Sequence, residues 1–231
     1  MASIKLDGNT LTSTELSLVS MGEKVEVASD AWIRVDAARK VVDNILASGE
    51  TVYGINTGFG ALVSASISHE DLATLQVNLI RSHACGIGEN MSIPDTRAMM
   101  CVRANSLVKG HSGIQKSVIE QIITYLNEDI IPVVPRIGSL GASGDLAPLS
   151  HMALALIGEG EVWTDDGPAP TSEVLKSKGL IGVELAAKDG LSLINGTSQM
   201  CSFLSNSENI LSNLLPMACL LYTSPSPRDR G

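Results

Sequence analysis

The stretch GSLGASGDLAPL, Gly138 to Leu149, holds the residue types that bear most directly on chemistry. Ala142, Ser143 and Gly144 stand in a row inside it. A backbone can build an electrophile from such a triad. The nitrogen of Gly144 closes on the carbonyl carbon of Ala142, Ser143 gives up its hydroxyl, and water leaves at both steps. An exocyclic methylene remains on a five-membered ring, 4-methylideneimidazol-5-one (MIO). Glycine permits the sharp bend because no side chain obstructs it, and alanine is small enough not to block closure. On spacing alone the same stretch also reads as a loop leading into a helix, with Asp145 as the cap and Pro148 in the first turn. It does not read as a phosphate cradle. A P-loop needs a lysine that is missing here, and the glycines follow G-x-x-G-x-x-G where a dinucleotide site needs G-x-G-x-x-G.

The elements that must position this loop are mostly helical. KVEVAS reads as a strand. SDAWIRVDAARKVVDNILASGE reads as a helix capped by Ser29 or Asp30, with Ile33, Ala37, Val41 and Ile45 on its apolar face and Gly49 at its end. The Gly-rich loop TVYGINTGFG follows. A second helix, SHEDLATLQVNLIRSHACG, is expected from a Ser68 cap to near Gly86. A third, IPDTRAMMCVRANSLVKG, has Pro94 in its first turn and Gly110 at its end. SGIQKSVIEQIITYLNEDI is a fourth. IPVVPRI is extended and leads into the glycine loop, after which APLSHMALALIGEGE resumes as an apolar helix. TSEVLKSKGL and the run from Val183 to Leu221 continue helically, with a turn at Asn195-Gly196. Strands and helices do not alternate, which disfavours a parallel-sheet nucleotide fold. The closing YTSPSPRDRG is polar and Pro-rich and reads as a solvated or artificial tail.

Composition narrows the function classes. Of 231 residues, 44% are apolar and 18% charged, so the chain can bury a sizeable core. The net charge of −9 argues against a nucleic-acid surface. No apolar run is long enough to span a bilayer, and the first twenty residues are too polar for a signal peptide. Cys85, Cys101, Cys201 and Cys219 form no C-x-x-C pair and are expected as buried free thiols of a cytoplasmic protein. His69, His111 and His151 show no metal spacing, so neither metal nor nucleotide is expected. Arg81, Arg97 and Arg103 lie on expected helices, where surface or interhelix pairing is their reading.

Several motifs together change the reading of the glycine loop. VYGINTGFG, NLIRSHACGIGE, RANSLVKGHSG, GSLGASGDLAPLSHMAL and LSLINGT closely resemble, in order, the MIO-dependent aromatic amino acid ammonia-lyases. The resemblance covers roughly residues 4 to 218. It implies a mainly α fold of the ammonia-lyase/fumarase-like helical superfamily. A small mixed N-terminal domain would occupy residues 1–110 and the start of a long helical bundle 111–218, with 219–231 off the family's pattern. Full-length relatives are about twice as long, so the chain resembles their N-terminal half, a truncated bundle. The family is homotetrameric, and further active-site residues come from beyond the end of this chain.

The resemblance also assigns roles. MIO would form autocatalytically from Ala142, Ser143 and Gly144. Tyr53 matches the base that takes the β-proton, on a loop whose Gly54, Gly58 and Gly60 suit a lid. Asn195 of the NGT motif would donate a hydrogen bond to the MIO carbonyl, although Asn-Gly is also a common turn pair. Asp145 would assist cyclisation or cap the next helix. Ser82, His83 and Gly60 would bind substrate. Ser82-His83 resembles the pair of the histidine-specific branch, whose reaction takes L-histidine to trans-urocanate and ammonia. Phenylalanine-specific relatives resemble Phe-Leu at this pair and tyrosine-specific ones His-Leu; the alternatives are a phenylalanine or tyrosine ammonia-lyase or aminomutase of the same family, or a non-catalytic fragment. His83 also suits a helix end where a backbone carbonyl satisfies it. The expected partner is a small amino acid, with no nucleic acid and no membrane.

Overall fold

A computed structural model describes residues 3–52, 54–57, 71–140 and 144–224. The order begins with β1 (Ile4–Leu6), α1 (Ser13–Ser20), β2 (Val25–Val27) and α2 (Ser29–Ser48). Next come α3 (Leu72–His83), β3 (Ile87–Asn90), α4 (Ile93–Leu107), α5 (Lys116–Asn127) and β4 (Pro135–Ile137). Last are α6 (Leu146–Leu156), β5 (Glu161–Thr164), β6 (Gly167–Pro170), α7 (Thr171–Ser177), α8 (Asp189–Ile194) and α9 (Ser198–Thr223). The described strands pair two by two: β1 with β2 in parallel, β3 with β4 and β5 with β6 antiparallel. Helix dominates and no larger sheet is present among the described residues, as the lack of alternation implies.

Helix α4 is the axis of the core. Ser92 caps it by accepting from the Asp95 amide, and Pro94 occupies the first turn, where its missing N–H costs nothing. From Thr96 to Ala104 nearly every residue is buried, including Arg97 and Arg103. A helix enclosed on all sides must be apolar all round or pair its polar groups. Helices α1, α5 and α9 pack around it, while α3, α6 and α8 form a second group against one another. One cluster of buried side chains runs from Ile4 through Tyr125 and Leu149 to Ile194.

Four expectations need correction. Helix α2 has no side-chain cap from Ser29 or Asp30; its N-cap is Ala28. Its buried stripe is Ala31, Val35 and Val42, while Ile33 and Val41 face outward. Two apolar stripes of helical period run along α2, and periodicity alone does not say which one meets the core. Only Cys101 is a buried thiol; Cys85, Cys201 and Cys219 are free and exposed. Helix α9 continues to Thr223, into the segment expected as an off-pattern tail, and residues 225–231 lie outside the described ones. Ser68, the expected cap of the second helix, also lies outside them.

Among the described residues no helix is long and apolar enough to cross a membrane. No group of three or more His, Cys, Asp or Glu side chains among them is placed to hold a metal.

Candidate active site

A short ladder brings two distant segments together. Strand β3 follows the end of α3, which carries Ser82 and His83, and β4 leads into the glycine loop. Ile87 lies opposite Ile137, and the Met91 amide donates to Val134 O at 2.8 Å. Glycines keep the approach close. A methyl added at Gly138 would lie 2.9 Å from Ala147 Cβ and 3.4 Å from Gly86 Cα. Gly86 in turn donates its N–H to His151 Nε2 on α6 at 3.1 Å. Burial lowers the His151 pKa, which favours the neutral ring that this acceptor role requires.

The chain closes on itself across the loop. Leu140 and Gly144 exchange both backbone hydrogen bonds, at 3.0 and 2.8 Å. Gly144 has φ +83°, in the left-handed region, and an added Cβ would stand 2.6 Å from Gly196 O. Only glycine fits there. Ala142 and Ser143 lie outside the described residues. Their described flank fits an MIO ring at its glycine end: the chain has turned back, and no side chain stands at residue 144. The Gly144 N–H still donates to Leu140 O, and ring closure has to take that proton.

Asp145 follows, fully buried. It stands at the N-cap of α6, yet its carboxylate bonds none of the α6 amides. This corrects the expectation that it caps the next helix. Its Oδ1 accepts from Ser139 Oγ at 2.5 Å and its Oδ2 from the Met200 amide at 3.0 Å. Met200 is in the first turn of α9, where backbone N–H groups lack helical partners and favour an anion. The carboxylate therefore caps a helix brought in from far along the chain. The Asp145 amide donates to Gly196 O at 2.8 Å.

Asn195 ends α8, and its backbone N–H bonds Leu191 O at 3.0 Å. Among the described residues its exposed side-chain amide has no hydrogen-bond partner, so it is free to donate. Tyr53 and Gly60 lie outside the described residues. Gly54 is described, and a Cβ there would meet Leu191 Cδ2 at 2.7 Å. The residue after Tyr53 therefore packs on the helix that ends in Asn195. Lys188 Nζ lies 3.8 Å from the same point, and burial lowers that lysine's pKa.

Ser82 is exposed and His83 half-buried at the end of α3. His83 Nδ1 is 2.9 Å from Leu79 O and 3.0 Å from Ser82 Oγ. A carbonyl can only accept, so Nδ1 is the donor of that contact. The helix-end contact is thus present, and in the neutral ring it leaves Nε2 as an acceptor.

Arg81 pairs on the surface with Glu159. Arg97 is buried and donates to Val19 O at 2.8 Å, Leu126 O at 3.1 Å and Asp129 Oδ1 at 2.6 Å. Arg103 is buried and donates to the carbonyls of Ser192 and Asn195. Burial brings its pKa down to about 10, against the pull of the Asp145 charge. Sequence reasoning left Arg103, Ser139 and the Met200 amide out of the site. The available signal was the arginine's place in Ala98–Ala104, a stretch of α4 that is otherwise apolar.

Comparison with known proteins adds to this geometry. The model of the family described as aromatic amino acid lyase matches residues 11–224. A histidine ammonia-lyase of Myxococcus xanthus is 48% identical over 200 residues, covering 86% of this chain and 39% of that protein. A tyrosine ammonia-lyase of Cupriavidus metallidurans is 46% identical over 197 residues, covering 84% of this chain and 37% of that one. The crystal structure of a histidine ammonia-lyase from Trypanosoma cruzi superposes with a TM-score of 0.83 at 38% identity, covering 89% of this chain and 40% of that one. The chain thus spans about two fifths of the length of these relatives.

Proposed function

The chain belongs to the aromatic amino acid lyase family, and on that premise we propose that it is the electrophile-bearing part of a histidine ammonia-lyase. The reaction is the elimination of ammonia from L-histidine to give trans-urocanate. The observation that carries the reading is the junction of Gly144 with Gly196. There the turn bearing Asn195 presses on the end of the Ala142-Ser143-Gly144 triad with no room for a side chain.

MIO formed from that triad would supply the electron-withdrawing centre that ordinary side chains lack. The chain's own residues supply part of the rest. Asn195, whose amide has no partner among the described residues, would donate to negative charge building at the loop. Tyr53 takes the β-proton; its neighbour Gly54 packs on the helix that ends in Asn195. A phenol of ordinary pKa, about 10, is protonated at neutral pH, so this tyrosine needs positive charge or hydrogen bonds around it. Gly60 borders the substrate. Asp145, tied to Ser139 and to α9, holds the loop for cyclisation.

Substrate choice falls to Ser82 and His83. With Nδ1 committed to Leu79 O, Nε2 can accept only from a donor. An imidazole N–H offers one and a phenyl ring does not. A tyrosine-specific lyase is the second reading, supported by the Cupriavidus relative.

The full-length enzyme is proposed as a cytoplasmic homotetramer, which accords with the apolar face that α9 exposes. The 231 residues alone are proposed to be inactive. The test is absorbance growth with L-histidine, L-phenylalanine and L-tyrosine in parallel, on full-length enzyme containing this chain. Turnover of histidine is expected. Turnover of tyrosine or phenylalanine without histidine would overturn the assignment. Intact mass should show the loss of two waters, abolished by Ser143→Ala; an active enzyme of unmodified mass would sink the cofactor assignment.

A further inference from the structure

We propose that Arg103 is a positioning residue for the electrophile-forming loop: its guanidinium holds the end of α8 where Gly196 closes on Gly144 and Asp145. The catalytic consequence rests on the function proposed above; the clamp itself does not.

Arg103 projects from α4, the enclosed helix of the core, and is 4% exposed. Its Nη2 donates both to Ser192 O and to Asn195 O, the latter at 3.1 Å. These carbonyls belong to the last turn of α8 and to its C-cap, where acceptors lack helical partners and favour a cation. The next residue, Gly196, has no room for a side chain, since an added Cβ would run into Arg103 Nη1. A side chain at 196 would have to displace the guanidinium.

From Gly196 the contact passes directly to the loop. Its carbonyl accepts the Asp145 amide at 2.8 Å and abuts Gly144. The Asp145 carboxylate then bonds the Met200 amide, which returns the chain of contacts to α9, just beyond the turn. The guanidinium thus sets one side of a closed circuit whose other side is the Leu140–Gly144 pair.

Two details separate this role from simple charge satisfaction. Among the described residues Arg103 Nε is buried without a partner, so the side chain is not placed there to fulfil its own hydrogen bonding. What its terminal nitrogens hold explains its position. The two carbonyls are also three residues apart in sequence and are met by one nitrogen, Nη2. A lysine ammonium ends one bond nearer the backbone than that nitrogen.

The test is residue-resolved amide hydrogen exchange on the 231-residue chain, which requires no turnover. The reporters are the amides of Asp145 and Met200; Ile119 and Ile122, within buried α5, are the controls. Arg103→Met should speed exchange at both reporters by at least about tenfold and leave the controls within about twofold. Arg103→Lys should give a smaller rise at the same amides. Gly196→Ala should reproduce the Arg103→Met pattern with the arginine still present. Unchanged reporters would overturn the proposal, and so would an equal rise at reporters and controls. Should Arg103→Met fail to fold, Arg103→Lys carries the same two outcomes. Failure of the lyase reading would leave these rates as they are, so the two ideas can fail separately.

Discussion

Replacing Asp145 tests whether the loop is held by a buried carboxylate or merely passes one. The side chain is fully buried and accepts two hydrogen bonds, from Ser139 Oγ at 2.5 Å and the Met200 amide at 3.0 Å. In Asp145→Asn one oxygen remains for the Met200 amide, and the new NH2 can face Ser139 Oγ, whose hydroxyl can accept. The loss is the charge-assisted part of two bonds, about 1–2 kcal/mol. Asp145→Ala removes the partner of the half-buried Met200 amide, at about 1–3 kcal/mol, while Ser139 is exposed and its hydroxyl can turn to water. It also strips Arg103 of the opposing charge that Asp145 supplies. The assay is urea unfolding of the 231-residue chain followed by circular dichroism. With a slope of about 2–3 kcal/mol per molar, Asn lowers the midpoint by about 0.5 M and Ala by about 1 M. Two results would refute the reasoning. One is equal midpoints for Asn and Ala; the other is an Ala variant within about 0.5 kcal/mol of the parent, the range of surface substitutions.

Gly144→Ala places a Cβ 2.6 Å from Gly196 O at a positive φ; a cost of about 1–3 kcal/mol and no loss of water by intact mass are expected. Burial holds His151 below its ordinary value of 6.5, so the unfolded chain binds that proton more readily. Its contribution to stability is complete above pH 6.5 and is lost as pH falls from there through the lower folded value; His151→Gln, measured by urea unfolding at several pH values, should flatten that slope. Tyr125→Phe removes a bond to Ala155 O of 2.6 Å between α5 and α6, and thermal or urea unfolding should register about 1–2 kcal/mol. Leu211→Gln with Leu215→Gln on the open face of α9, where the two leucines are 63% and 61% exposed, should change stability by no more than about 0.5 kcal/mol. Sedimentation of that pair should show weaker self-association than the parent.

Element types were mostly legible in the sequence, because caps and breakers act locally. Pro94 marked the first turn of α4, and Gly49 marked the end of α2 in its left-handed turn. What failed were the questions of facing. Ile33 and Val41 form an apolar stripe at helical spacing, yet Ala31, Val35 and Val42 meet the core. Nothing in a helix's own residues says where its neighbours stand. Asp145 failed for a related reason. An aspartate before an apolar run favours a local cap, but the closer donors here came from Ser139 and from α9, which folds back from fifty-five residues away.

The sequence by itself determined the chemistry available. Ala142-Ser143-Gly144, Tyr53, Ser82-His83 and Asn195 are residue types in motifs that resemble a known family, and no packing information was needed to see them. Tertiary structure alone decided how the described ones meet. It set Gly196 against Gly144, turned the Asp145 carboxylate toward α9, brought His83 Nδ1 to Leu79 O and buried Arg103 over the end of α8. The physical reason is range. Bond-making capacity resides in the side chain and is carried wherever it goes, whereas hydrogen-bond partners, burial and steric room depend on segments that only folding brings together.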